Sequence, residues 1–493
     1  MEQCCIGASS STPRGLLSPA AAGCQVRCRV PLTAPTPPPP SGPPLQATGD
    51  APGQGAFGGR QLTLAARVRL RATIQTPRIV TSPDARLRAA RRRSGNQLTT
   101  TETAKATSYI GNDSDTMPPV KASVLHAARE LRLEERDLAA PAPDEVQIAV
   151  QSTGLCGSDL HYFNHFRNGD ILVREPLTLG HESSGTVVAA GTAVSDLRPG
   201  DRVAIEVGLP CESCEYCSQG RYNICRGMRF RSSAKAVPHF QGTLQERINH
   251  PARWCHKLPD DLSLDLGAVI EPLSVAMHAR DRANLPEGST VLVFGAGAVG
   301  LLAAAVSKAA HASAVIIADI QKDRVDFAVA NGYADAGVVV PMARPQTIEE
   351  KLLYAADVAD KIKATEVHGK PIGEVTAVYE CTGVETCVQS SIYAAKPGGK
   401  VMIIGMGTPV LTLPMSAAAL REVDLLGVFR YANTYKRAID LLSSPPPEMP
   451  DLKTLVTHRY KGMALIPDAF SMAARVKDEE GKLVLKVVVD MKE

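Results

Sequence analysis

The sequence is poor in aromatic residues: nine Phe, eleven Tyr and a single Trp make up 4% of its 493 residues. No run of 18 or more apolar residues occurs, which excludes a conventional transmembrane helix. Residues 1–100 lack lysine altogether, and no methionine occurs between Met1 and Met117. Acids are nearly missing from the same hundred residues, where 13 Arg face only Glu2, Asp50 and Asp84, a net charge of +10. The other 393 residues carry 41 basic and 48 acidic side chains, so the overall charge of +3 hides two segments of opposite sign. A mildly acidic body offers no electrostatic footprint for nucleic acid. With 44% hydrophobic residues it has ample material for the core of an α/β enzyme.

The boundary between the segments lies near Met117. Ten of the first fifty residues are proline, including Pro37 to Pro40. Such a stretch favours polyproline II and lacks the apolar periodicity that would offset the entropy of ordering. Residues 1–116 therefore read as a disordered Pro/Arg-rich extension. The Arg-rich, acid-poor stretch from Ala65 to Arg93 also has the composition of a mitochondrial presequence. Cys4, Cys5, Cys24 and Cys28 lie in this extension with no ligand-like spacing.

The cysteines of the body are different. Cys211, Cys214, Cys217 and Cys225 stand two, two and seven residues apart. Four thiolates so spaced can surround one tetrahedral Zn²⁺ with Zn–S bonds of about 2.3 Å. A disulfide knot and an iron–sulfur cluster are the alternatives. No secretory signal is legible, which disfavours disulfides, and a four-Cys loop inside a large enzyme favours closed structural zinc over a redox centre. A closed shell has no open coordination position, so this metal would hold a lobe together without taking part in chemistry.

A second constellation is a nucleotide site. Thr290 to Phe294 reads as a buried strand, Gly295-Ala-Gly297-Ala-Val299-Gly300 follows, and Leu301 to Ala310 reads as a helix. The glycine pattern alone is weak, but here it has the strand and helix it requires. Gly295 permits the tight turn, Gly297 lets backbone approach a pyrophosphate, and Gly300 lets helix pack on strand. A second strand, Ala314 to Ala318, ends at Asp319, nineteen residues beyond Gly300. A carboxylate there can accept both ribose hydroxyls and would repel a 2′-phosphate, favouring NAD over NADP; its bland alternative is a helix N-cap. Strand-and-turn repeats at Ala377–Cys381 and Lys400–Ile404 complete a doubly wound sheet, whose turns at Thr382–Gly383 and Gly405–Gly407 would border the dinucleotide. Thr347 to Ile362 reads as an outer helix.

Upstream lies a third group. Cys156, Ser158 and His161 fall within six residues, Gly180-His181-Glu182 sets imidazole beside carboxylate, and Glu271-Pro272-Leu273 stands before the nucleotide fold. Singly these are a buried Cys, a satisfied His and a surface Glu. Together, Cys156, His181 and Glu182 could be the three protein ligands of a catalytic zinc with one open position.

The order of these motifs resembles the zinc-dependent medium-chain dehydrogenases, and within them the polyol branch, meaning sorbitol (L-iditol), xylitol and L-arabinitol dehydrogenases. The strings carrying the resemblance are GLCGSDLHYF, LGHESSGTV, the four-Cys loop, GTLQERINHPARWCHKLPD, EPLSVAMHA, VLVFGAGAVGLL, ECTGVE and REVDLLGVFRYANTY. The resemblance covers about Lys121 to the C-terminus and leaves the first 116 residues unmatched. Simple alcohol dehydrogenases place a second Cys near position 271, whereas the polyol branch has Glu there and takes its carboxylate ligand from the GHE string. This chain has both Glu182 and Glu271.

The resemblance implies an inserted Rossmann domain, 274–428, within a GroES-like β-rich catalytic domain formed by 117–273, with the zinc lobe at 208–226, and by 429–493. It implies two Zn²⁺ per chain and NAD. Cys156, His181 and Glu182 would bind the catalytic zinc, and Glu271 would hold a nearby water or substrate hydroxyl. Tyr162, Arg430 and Tyr431 match substrate contacts. Val299, Asp319, Arg324, the Ile404-Gly405-Met406 turn and Val428-Phe429-Arg430 match NAD contacts. Ser158 and His161 stand where a released proton could be passed outward. The implied reaction is oxidation of a polyol secondary alcohol to a ketose, in a homo-oligomeric (tetrameric or dimeric) enzyme with no membrane or nucleic-acid partner. Another zinc alcohol dehydrogenase, threonine-type or NADP-linked, and a non-catalytic relative acting through its Arg-rich tail are the alternatives; no catalytic ligand is lost, which disfavours the last.

The Met117 boundary is testable. A chain beginning at Met117, 377 residues long, should fold, bind both zincs and oxidise polyols at the full-length rate. Mass spectrometry should find the native N-terminus at or just after Met117, with the protein in the cytosol. Peptides from the Pro37 region in mature protein would overturn this boundary, and a cleaved tail with mitochondrial protein would favour import.

Overall fold

The computed structural model describes residues 119–492. The Pro/Arg-rich extension, its four cysteines and the Met117 boundary lie outside the described residues.

Apolar runs without polar alternation build a parallel sheet buried on both faces. Its six strands lie in the order Ala336–Val339, Ala314–Asp319, Thr290–Phe294, Val375–Glu380, Ala395–Ile403, Asp424–Gly427, and every neighbouring pair is parallel. Side chains alternate between two separate cores. Val291, Val293, Val315, Ile317 and Tyr379 join one, while Leu292, Phe294, Ile316, Ala318 and Val378 join the other. That period-two partition is what helices on both faces require. The strand order reverses between Thr290–Phe294 and Val375–Glu380, and a crevice opens at the carboxyl ends of strands at such a point. This is the doubly wound Rossmann sheet expected from the sequence. The helix read at Thr347 to Ile362 is present as Ile348–Ala364, with the Thr347 hydroxyl accepting from Glu350 N and the Glu350 carboxylate answering at Thr347 N.

The second sheet is antiparallel apart from one pair and draws on both ends of the described chain. Its order is Cys255–Lys257, Arg202–Ile205, Glu182–Ala190, Glu145–Gly154, Lys486–Asp490, Val456–Lys461. Arg247–Pro251 pairs with the first half of Glu145–Gly154, and Lys486–Asp490 pairs with its last three residues. The C-terminal strands thus return to the β-rich GroES-like domain after the parallel sheet is complete.

Between the sheets runs the helix Leu264–Ala283, started by the Ser263 hydroxyl accepting from Leu266 N and ended by Asn284 in the left-handed region. It packs on Glu182–Ala190 on one side and on the helix Ala298–Ala309 on the other. Its apolar residues Val269, Ile270, Leu273 and Ala276 belong to a core that also includes Ile148, Val203 and Val291. The boundary expected at 273/274 therefore falls inside one continuous helix. No helix among the described residues is long and apolar enough to cross a membrane.

Two glycines separate packing from ligand approach. A Cβ at Gly300 would overlap the carbonyl oxygen of Gly295, whereas a Cβ at Gly297 would meet open space. Gly300→Ala should cost about 2 kcal/mol or more and lower the melting temperature. Gly297→Ala should melt within about 0.5 kcal/mol of the parent while weakening dinucleotide binding, as equilibrium titration would show.

Candidate active site

The strand Glu145–Gly154 delivers the chain to Cys156, which caps the helix Gly157–His165. Gly180, at φ +92°, turns the chain into His181 and the first residue of the strand Glu182–Ala190. One ligand atom from each of Cys156, His181 and Glu182 lies within 4.8 Å of the others. One tetrahedral ion, with bonds of about 2.0–2.3 Å, can gather such a group. Glu271 is buried nearby but is not one of the three.

Two residues that sequence reasoning missed complete the cluster. Asp159 is fully buried, and its Oδ1 lies 3.2 Å from His181 Nδ1. It also accepts from Ser232 Oγ at 2.7 Å, Gly180 N at 3.2 Å and Cys156 N at 3.3 Å. Burial alone would raise its pKa, but His181 and these donors pull it below the usual carboxylate range. A buried carboxylate on the far nitrogen of a ligating imidazole fixes the ring's tautomer and orientation. Its signal was available, three residues after Cys156 in the string GLCGSDL. Lys486 is the second. Its Nζ donates to both Glu182 oxygens, at 2.9 and 2.6 Å, and to the Leu155 carbonyl at 3.2 Å. No local pattern could have signalled a partner 304 residues away.

Further polar groups with little exposure stand near the cluster. Burial pushes the Glu271 carboxyl up to about 7; His181 opposes the rise and the charge of Glu182 adds to it. The Arg430 guanidinium lies 3.5 Å from the centre of the Phe230 ring, whose own centre is 5.6 Å from that of His181. Burial lowers Arg430 to about 10, with Tyr431, Glu271 and Tyr162 opposing the shift. Tyr162 Oη accepts from Ala234 N at 3.3 Å. Tyr431 is 3% exposed, and its hydroxyl interacts with the Glu271 carboxyl. Ser158 and His161 are half-buried, and among the described residues neither is hydrogen-bonded to the cluster.

The four sulfurs of Cys211, Cys214, Cys217 and Cys225 also lie within 4.8 Å of one another. All eight cysteines of the described residues are free thiols, and Cys214 and Cys217 have sulfurs 3.5 Å apart, beyond bonding distance. The disulfide alternative is not what the structure shows. Hydrogen bonds from the turn, first from the Ser213 backbone, pull Cys211 down to about 6, whereas burial and neighbouring sulfurs push Cys217 up to about 12. Four thiolates this close cannot all ionise without a cation among them, so the donor set fits zinc.

The nucleotide crevice is built as its glycines require. Gly295 has φ +94°, and Gly297 caps the helix Ala298–Ala309 with no side chain, leaving its first N–H groups open. Val299 lies in the helix's first turn. Asp319 Oδ2 accepts from Ala296 N at 2.7 Å and Oδ1 from Gln321 N at 2.8 Å. The next helix is capped at Gln321, so Asp319 is not an N-cap. Arg324, half-buried on that helix, has an Nε with no hydrogen-bond partner among the described residues. The carboxylate of buried Glu380 accepts from Thr382 and Gly383, and a Cβ at Gly405 would overlap the Gly383 backbone. The two turns therefore meet, leaving Met406 exposed beside the partly buried Ile404. Val428 N donates to Ile403 O at 2.9 Å, which aligns Val428, Phe429 and Arg430 with the same crevice.

Comparison with known proteins agrees with this geometry. Residues 142–260 match the alcohol dehydrogenase GroES-like domain and residues 298–444 the zinc-binding dehydrogenase domain. Sorbitol dehydrogenase of Gallus gallus is 42% identical over 339 residues, 69% of this chain and 89% of that protein. Sorbitol dehydrogenase of Bos taurus is 43% identical over 337 residues, 68% of this chain and 88% of that protein. A zinc-binding dehydrogenase from Sinorhizobium meliloti, solved with NADP, is 28% identical and aligns with a TM-score of 0.63 over 76% of this chain and 99% of its own.

Asp159 offers a test. Asp159→Asn keeps the shape but removes the charge facing His181, and should weaken metal binding about tenfold to a hundredfold in a chelator competition. Unchanged metal retention would contradict the role of Asp159 in orienting His181.

Proposed function

The chain belongs to the zinc-dependent medium-chain polyol dehydrogenases, and from that membership we propose that it oxidises a secondary alcohol of a sorbitol- or xylitol-type polyol to the ketose, passing hydride to NAD. The observation that carries this reading is the grouping of Glu271, Arg430 and the buried Tyr431 beside a three-ligand metal cluster. Several polar groups gathered in a largely buried site suit a ligand rich in hydroxyls, and they penalise a simple alcohol that offers them too few hydrogen bonds.

Cys156, His181 and Glu182 would hold the catalytic zinc, a Lewis acid that makes a neighbouring hydroxyl proton far easier to lose at neutral pH. A nicotinamide dinucleotide along Gly295–Gly300 would supply the hydride acceptor. The chain does the rest by placement. Glu271, Arg430, Tyr431 and Tyr162 bind the hydroxyls flanking the reacting carbon and so fix which carbon reacts. Phe230 and the Arg430 stem close the pocket to water. Ser158 and His161 carry the released proton outward, and burial together with His165 holds His161 below its ordinary pKa, in the neutral form that can accept one. Asp319 receives the ribose, its carboxylate already positioned by Ala296 N and Gln321 N, and stands against a 2′-phosphate; Arg324 contributes from the following helix. The domains are taken as 117–273 with 429–493, and 274–428.

Initial rates with sorbitol, xylitol and L-arabinitol and with both cofactors test the reading. NAD should be preferred by at least roughly tenfold, about 1.4 kcal/mol, and Asp319→Ser should erode the preference. Equal efficiency with NADP, or turnover of simple alcohols alone, would overturn it. Metal analysis should find two zincs per chain. Cys156→Ser should lose one together with activity, and Cys214→Ser the other, chiefly impairing folding or assembly. A single zinc surviving both substitutions would refute the assignment.

A further inference from the structure

The segment bearing Arg430 and Tyr431 is held mainly by the four-cysteine loop. Asn223 Nδ2 donates to the Phe429 carbonyl at 2.8 Å. Asn433 N donates to Tyr222 Oη at 2.7 Å, and Asn433 Nδ2 donates to the Gly220 carbonyl at 2.8 Å. Gly220, Tyr222 and Asn223 all fall in the interval between the third and fourth cysteines, Cys217 and Cys225. The same interval is anchored inward, because Tyr222 Oη donates to the buried Glu206 carboxylate at 2.6 Å, which His256 meets at 2.7 Å on its other oxygen.

These bonds act on a strained piece of backbone. Arg430 has φ +51° and Asn433 φ +60°, a left-handed conformation that non-glycine residues leave unless neighbouring contacts hold them there. Between loop and segment lies a cavity of about 230 Å³, walled by Asn223, Cys225 and Met228 on one side and by Phe230, Phe429 and Arg430 on the other. The loop is therefore a wall of the space into which Arg430 faces.

We infer that the four-cysteine loop sets substrate affinity: Tyr222 and Asn223 are positioning residues that hold Phe429–Asn433 so that Arg430 and Tyr431 face Glu271. This rests on the reading of Arg430 and Tyr431 as polyol contacts. Cys211, Cys214, Cys217 and Cys225 would hold one ion, which would restrict the interval carrying both residues.

Asn223→Ala removes the bond to Phe429. Asn433→Gly removes the bond to Gly220 at an exposed position and suits the left-handed backbone, which makes it the variant least able to disturb folding. Each is compared with the parent, full chain and metal-loaded, by titrating polyol into the complex with NADH, where no reaction can follow, and by steady-state kinetics and thermal melting. The expected result is a polyol Kd and KM raised about tenfold, kcat within about threefold, and a melting temperature and zinc content like the parent's. Unchanged Kd and KM in the folded Asn433→Gly variant would overturn the inference. So would equal losses of kcat and zinc with no change in Kd. If the parent itself neither binds nor oxidises any polyol, the functional reading fails instead, and the two failures are told apart by that control.

Discussion

A carboxylate in a dry interior must be stabilised by a partner, and Glu182, one of three residues that could hold a metal ion, is stabilised by Lys486. Both groups are buried. Breaking such a pair by removing one partner leaves an uncompensated charge and costs several kcal/mol. The pair exists only because the strand Glu145–Gly154 is flanked on one side by Glu182–Ala190 and on the other by Lys486–Asp490. Gly154 sits directly opposite Glu182, and a side chain there would collide with the Glu182 carboxylate. The site therefore depends on a sheet that is not closed until the last strand of the chain is in place.

That dependence explains the order of the domains. The parallel sheet interrupts the β-rich domain and hands the chain back to it, carrying along the segment from Val428 to Tyr431. Its contribution to the site is edge geometry, since the Gly295, Thr382–Gly383 and Gly405–Gly407 turns all stand at the carboxyl ends of neighbouring strands. The helix Leu264–Ala283 couples the two domains and carries Glu271 in its middle, so dinucleotide crevice and metal cluster share one rigid rod.

The four-cysteine loop is a second case of distant segments made interdependent. Its sulfurs demand a cation, while its non-cysteine residues supply the donors and acceptors that fix the strained backbone at Arg430 and Asn433. A closed metal shell does no chemistry of its own, but here its loop lines a cavity that Arg430 also lines.

Much of this could be read from local pattern. Uninterrupted apolar runs ending in glycine turns predict buried parallel strands, and the spacing of Gly295, Gly297 and Gly300 predicts a phosphate cradle, because both follow from backbone geometry over a few residues. Cys211, Cys214, Cys217 and Cys225 announce a metal loop for the same reason. Cys156, His181 and Glu182 are candidate ligands by residue type and by their order in the chain, and the resemblance to a family strengthens that set, since nothing local says that residues 25 positions apart meet. Asp159 went unread although it stood inside a quoted motif: a buried Asp and a helix-capping Asp look alike until the fold shows His181 beside it. Lys486 and the bonds from Tyr222 and Asn223 to the Phe429–Asn433 segment were decided by tertiary structure alone. They join parts of the chain some two to three hundred residues apart, and strand register and chain return, which no short-range periodicity encodes, determine which buried charge and which unpaired backbone group they come to satisfy.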